Sequence, residues 1–189
     1  MTRESSESRT QRCLSEVQKH PDSAAAHFNL GLAYTKQGFV NRSEAAYRKA
    51  LEIDPDLVEA WVNLGGALMT RMDFEGCVQA NRKAVECDAS SVQAHYNQGL
   101  GHMYLNQPEL MVECFVRVLE LEPTHPAGNY HLAAGLFALK RVEEAAVALT
   151  RAIQLGHSPD PKLIKALQQK LAAKPSAPAD GEAKDNPTQ

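Results

Sequence analysis

Apolar side chains recur along most of the chain with the 3.6-residue period of amphipathic helices, in short stretches broken by turn signals. "HFNLGLAY" (27–34) and "WVNLGGAL" (61–68) read as helix interiors, and "QGFVN", "RMDFE" and "NQPEL" as the punctuation between helices. The pattern comes back into phase at positions 24, 58, 92 and 126, which divides the central region into 24–57, 58–91, 92–125 and 126–159. Each segment predicts two helices joined by a tight turn. A lone helix pair cannot cover its own apolar face, so the four pairs must bury it against one another, as in a solenoid.

Matching positions of the four segments carry the same kind of residue. Leu30, Leu64, Gln98 and Leu132 are followed by Gly31, Gly65, Gly99 and Ala133, then by Tyr34, Leu68, His102 and Leu136. In the second helices, Ser43, Cys77, Met111 and Ala145 precede Tyr47, Asn81, Phe115 and Leu149, then Ala50, Ala84, Val118 and Ala152. Pro55 and Pro123 close two of the segments, and Trp61 opens the second. This resembles the tetratricopeptide repeat family, whose pattern W-x2-L-G-x2-Y…A-x3-F…A…P is matched best by "HFNLGLAYTKQGFVNRSEAAYRKALEIDP". The resemblance covers 24–159 and implies an all-α, right-handed superhelical solenoid of helix-turn-helix repeats. Gln98, His102 and Lys140 depart from the pattern in the third and fourth copies.

The flanks read differently. Residues 10–20 align with the second half of a repeat, Pro21 falling one repeat length before Pro55, and 1–9 are polar and expected to be disordered. At the other end, 160–174 predicts a closing helix with an Asp160 N-cap and Pro161 at its first position. Its apolar side is Leu163, Ile164, Leu167 and Leu171. The Pro- and Ala-rich tail 175–189 is expected to be disordered.

Asn29, Asn63 and Asn97 stand one repeat apart, although asparagine in a helix interior costs several tenths of a kcal/mol relative to alanine. At about 100° per residue they lie opposite the core stripe. His131 takes the fourth rung. Their neighbours on that face include Phe28, Leu32, Tyr96, Leu100 and Tyr130, whereas the second helices present Arg48, Lys49, Glu52, Arg82, Lys83, Glu86, Arg117, Glu120 and Arg151. The resemblance implies that first helices line a concave groove and that the column is an asparagine ladder holding an extended peptide. An amide carries both donor and acceptor and so matches a peptide group. A purely structural role for the asparagines, solvating or capping the helix, is the competing reading. The family's carboxylate clamp is not expected, because its cationic positions fall on Phe28, Gln93 and Asn97.

Composition narrows the rest. The 189 residues carry a formal charge of −3 and a pI of about 6.2, so no basic field invites nucleic acid or anionic membrane. No apolar run approaches the ~20 residues of a bilayer span, and the polar N-terminus lacks a signal peptide's apolar stretch. A cytoplasmic location is the resulting expectation, with Cys13, Cys77, Cys87 and Cys114 as packed free thiols. His95 and His102 are two turns apart and read as a buried polar cluster with Gln98, not a metal site. No nucleophile–base pair or phosphate loop occurs at a recognisable spacing, so neither enzyme activity nor a cofactor is expected. The expectation is a non-enzymatic adaptor that holds an extended or helical peptide segment of a protein partner in its concave groove. The alternative is a self-assembling scaffold, a homo-oligomer in which the helix at 10–20 enters a neighbour's groove.

Overall fold

The computed structural model describes residues 6–173. They form ten α-helices: α1 (Ser6–Lys19), α2 (Ala24–Lys36), α3 (Val40–Ile53), α4 (Val58–Thr70), α5 (Phe74–Cys87), α6 (Val92–Tyr104), α7 (Pro108–Leu121), α8 (Pro126–Ala138), α9 (Val142–Gln154) and α10 (Pro161–Ala172). Each helix packs on its neighbours in sequence, as antiparallel pairs α2/α3, α4/α5, α6/α7 and α8/α9 in the all-α, right-handed helix-turn-helix solenoid. Helix α1 stacks on α2 in the place that a second helix takes beside the next pair, and α10 lies against α9. The first helix starts at Ser6, a turn earlier than the 10–20 expected, with Glu7 placed favourably in the positive first turn. Residues 1–5 and 174–189, including the tail expected to be disordered, lie outside the described residues.

Local chemistry sets the boundaries. Ser23, Asp73, Ser91 and Asp160 accept from backbone N–H groups of the following turn, and His125 does the same with its ring Nδ1, 2.9 Å from Gly128 N. Pro108, Pro126 and Pro161 occupy first-turn positions that need no donor. The four turns inside the pairs all carry one left-handed residue at the same register position: Gly38, Met72, Asn106 and Lys140, with φ of 76°, 62°, 55° and 62°. The backbone therefore keeps the turn even where glycine is absent; Met72 and Lys140 hold it at a cost of about 1 kcal/mol each.

The core is built from small-against-large contacts between paired helices. Gly31 lies against Tyr47, Gly65 against Asn81 and Gly99 against Phe115; a Cβ on Gly31 would come within 2.5 Å of the Tyr47 ring. In the fourth pair Ala133 and Leu149 share one buried cluster, the smaller partner leaving room for a methyl group. Tyr47, Asn81, Phe115, Ala50, Ala84, Val118 and Ala152 are all fully buried. Successive pairs interlock, since one apolar cluster takes Tyr47 and Leu51 from α3, Leu64 and Leu68 from α4, and Cys77 and Ala80 from α5. Burial pushes the thiols of Cys77 and Cys114 up to about 11 and about 12, which leaves both as inert space-filling groups. The packing expected of all the cysteines stops there, because Cys13 is half-buried and Cys87, at the end of α5, is exposed.

Two buried polar side chains stand in this packing, one of them joining neighbouring units. Glu44, on α3, accepts from Arg48 Nε at 2.9 Å and from Arg71 Nη1 at the end of α4. Partial burial raises the pKa of its carboxyl, but the hydrogen bonds from Arg71 and Arg48 outweigh that and hold it below the ordinary value. Asn81 is the weaker design: its Nδ2 donates to Cys77 O at 2.8 Å, while Oδ1 is buried without a partner. Asn81→Leu, which installs the residue of the fourth unit, is expected to raise stability by about 1–2 kcal/mol by removing an unsatisfied acceptor. Urea unfolding of the variant checks this, and a loss of stability would show that the back-bond to Cys77 outweighs the orphan.

Candidate functional site

The first-helix face bears a concave pocket of about 480 Å³ between α4, α6 and the α2–α3 turn. Asn63, Asn97 and Gln93 supply amides to its lining, Thr35, Ser43 and Thr70 supply hydroxyls, and no lining side chain is ionisable. The hydroxyls are turned inward: Thr35 Oγ1 donates to Gly31 O at 3.0 Å, Thr70 Oγ1 to Gly66 O at 3.0 Å and Ser43 Oγ to Val40 O at 2.8 Å. Asn63 Nδ2 donates to Glu59 O at 2.7 Å, and Gln93 Nε2 donates to Asn97 Oδ1 at 2.8 Å. Among the described residues this leaves Asn63 Oδ1 as an acceptor and Asn97 Nδ2 as a donor on two residues that line one cavity. Gly66 forms part of the floor, and a Cβ placed there would meet nothing within 4 Å.

The remaining rungs of the expected column lie elsewhere. Asn29 is exposed and borders a separate depression of about 420 Å³ beside Arg9, Cys13 and Glu16 of α1. His131 is packed into aromatic rings, stacked on Phe115 at 5.1 Å and edge-on to Tyr96 at 5.7 Å and Tyr130 at 5.1 Å. Phe28 and Leu32 are half-buried against the cluster around Tyr47, Tyr96 and Leu100 against that around Phe115, and Tyr130 against that around Leu149. Their rings and side chains are thus partly covered by the core clusters. The structure therefore joins Asn63 with Asn97 and separates Asn29 and His131 from them.

Sequence reasoning did not find the wall made by Thr35, Gly38, Val40 and Ser43. These residues belong to the preceding unit, and only the stacking of units brings them to Asn63. It also missed a staple with a clear register signal. Trp61 Nε1 donates to Pro55 O at 2.7 Å, and His27 and His95 place Nε2–H on the carbonyls of Pro21 and Ala89 at 2.9 and 3.1 Å. A ring donor thus recurs once per repeat in these three units and ties each first helix to the carbonyl six residues earlier. His102 is held separately, Nδ1 to Gln107 Oε1 at 2.7 Å, so His95 and His102 serve different loops instead of one cluster. Among the described residues no group of three His, Cys, Asp or Glu side chains could hold a metal ion.

The second-helix face is charged and self-paired, with Lys49–Glu52 at 3.0 Å, Lys83–Glu86 at 2.6 Å and Arg117–Glu120 at 2.8 Å. Such exposed pairs are screened by solvent and serve solubility more than stability. Among the described residues no helix is long and apolar enough to cross a membrane.

Models of the tetratricopeptide repeat match residues 24–57 and 92–125, with the bounds that the repeat register sets. The chain carries at least two tetratricopeptide repeats. The pairs α4/α5 and α8/α9 continue the same solenoid between and after them. Curated proteins offer no match to the sequence. Among solved structures, a crystal structure of MamA superimposes with a TM-score of 0.76 at 16% identity, covering 79% of this chain and 88% of that one. PilF of Pseudomonas aeruginosa gives 0.70 at 21% identity, covering 89% and 86%. The first TPR of Spaghetti (RPAP3), bound to the HSP90 peptide SRMEEVD, gives 0.61 at 25% identity, covering 62% and 94%.

Proposed function

We propose that this protein is a non-enzymatic adaptor that holds a peptide segment of a partner protein in the groove of its first helices. The observation that carries the reading is that Asn63 and Asn97 line one uncharged pocket, the first with Oδ1 and the second with Nδ2 left over from their hydrogen bonds to the protein. An acceptor and a donor there match the N–H and C=O of a passing backbone. The fold shared with MamA and PilF fits a protein-binding scaffold, and the Spaghetti repeat domain, which is bound to a peptide, fits a peptide as the ligand. That peptide, SRMEEVD, is acidic. With no cation in its lining, the pocket here suits an uncharged segment. A cytoplasmic setting, in which the thiols stay reduced, accords with this role.

Asn63→Ala combined with Asn97→Ala is expected to weaken a groove-binding peptide, isolated from a random library, by about tenfold, two hydrogen bonds at about 0.5–1.5 kcal/mol each. Helicity and melting should stay near those of the unaltered protein. Unchanged affinity in fluorescence titrations would refute the amide pair as the binding element.

The alternative, self-assembly by insertion of α1 into a neighbour's groove, must displace an existing contact. Helix α1 already lies on α2 of its own chain, with Thr10 buried and accepting from Gln37 Nε2 at 2.8 Å. Light scattering across a concentration series separates the two readings.

A further inference from the structure

The pocket at Asn63 has a counterpart further along the same face. A smaller cavity of about 150 Å³ opens among Met103, Asn106, Pro108, Met111, Ala134 and Ala138. Each of these stands two repeat lengths after a residue lining the first pocket, from Thr35 to Met103 through Thr70 to Ala138. The two cavities are one structural socket, repeated at alternate junctions. At the junction between them the corresponding residues fill the space instead. Phe74 and Tyr104 stack face to face at 4.6 Å with 6° between their planes, and Leu100 packs on the cluster around Phe115. The face therefore reads socket, plug, socket.

This arrangement sets a length and a chemistry. The sockets border α4 and α8, two first-helix steps apart, and packed helices lie about 8–10 Å from one another, so the sockets are roughly 20 Å apart. An extended chain advances about 3.3 Å per residue and covers that span in about six residues. A helical ligand would bury its own N–H and C=O groups and leave the amide pair nothing to bond. Neither socket has an ionisable lining side chain, so a charged anchor would lose its hydration without a counter-charge. The first is lined by amides and hydroxyls, the second by thioether and methyl groups, with Asn106 and Gln107 at its turn.

We infer that the groove grips an extended, uncharged partner segment by two anchor side chains about six residues apart, a polar or aromatic one beside Asn63 and an aliphatic one between Met103 and Ala138. The backbone between them crosses the Phe74–Tyr104 stack. This rests on the reading of the first-helix face as a peptide groove.

The test is panning of a random dodecapeptide phage library against the full chain and against two plugged variants, Thr70→Tyr and Ala138→Tyr. Both put the residue that already closes the middle junction at the rim of a socket. Selected peptides should be neutral, with two preferred positions five to seven residues apart. Thr70→Tyr should abolish the polar or aromatic preference alone, Ala138→Tyr the aliphatic preference alone, each weakening a two-anchor peptide about tenfold. Circular-dichroism melts confirm folding, and Thr70→Leu and Ala138→Leu replace any variant that melts early. Peptides weakened by Asn63→Ala with Asn97→Ala but showing one anchor, another spacing or both preferences in the plugged variants overturn the two-socket inference and leave the groove standing. Peptides indifferent to the asparagine pair and to both plugs, or no enrichment at all, overturn the groove reading and the inference with it.

Discussion

Phe115→Ala is expected to lower the stability of the protein by about 3–5 kcal/mol, the largest loss from a single apolar truncation in this core. Phe115 is fully buried, and its ring has three kinds of neighbour that alanine cannot keep. It stands edge-on to Tyr96 of α6 at 5.6 Å, stacks on His131 of α8 at 5.1 Å and fills the space above Gly99. Loss of the ring thus opens a cavity where three helices meet, and the backbone of α6, already close to α7 because of Gly99, has no side chain with which to refill it. Stability in a stacked array is a sum of unit terms and nearest-neighbour terms, so the damage should be local. Hydrogen exchange should accelerate in α6, α7 and α8 and stay near its original rate in α2 and α3. A loss below ~1 kcal/mol in urea unfolding, well short of the range for buried Phe→Ala changes, or an equal rise in exchange along the whole chain, would show that the junction is not organised around this ring.

The same ring shows how much could be read in advance. Phe115 shares a register position with Tyr47, Asn81 and Leu149, and small residues fall opposite each of them, so the helix pairs and their buried contacts follow from a fixed repeat period and elementary packing. Some helix starts follow as well, because Ser23, Asp73, Ser91, Pro108, Pro126 and Asp160 stand where caps and first turns need them, whereas Phe39, Leu57 and Arg141 give no such signal. The site was only half legible. That Asn63 and Asn97 share a face is a matter of helical phase, which a sequence carries. Whether that face holds a cavity depends on the size of residues at one register position in successive units, such as Thr70, Tyr104 and Ala138, and on how far one pair rotates over the next. The helical phase that puts Asn63 on the pocket also puts His131 on the same face, yet the ring packs against Phe115 instead of lining that pocket. Polar identity likewise misleads at His27 and His95, which stand in for a tryptophan because one ring N–H is all the position requires.

His131 makes acidification the second large perturbation. Its Nδ1 is buried without a partner, and burial, with smaller contributions from the nearby His157 and His125, lowers its pKa from 6.5 to about 4. Between those two pH values the unfolded chain holds a proton on this ring and the folded chain does not. Unfolding therefore takes up a proton, and stability falls as the pH drops through that window, by about 1.4 kcal/mol per pH unit where the difference is complete. From neutrality to pH 4 the expected loss is about 2–3 kcal/mol, part of the shift being relieved by solvent at the ring's exposed edge. Glu44 acts lower on the scale: its carboxyl is held below the ordinary 4.5, so the stability it contributes persists above that value and is lost only as pH falls further. The two contributions are thus separable by range. His131→Phe keeps an aromatic ring against Phe115 and Tyr96 but removes the proton site, so its stability should stay nearly level from pH 7 to 4.5 where that of the unaltered protein declines. Chemical unfolding at half-unit intervals of pH provides the comparison, and an equal decline in the two proteins over that range would place the acid sensitivity in another group.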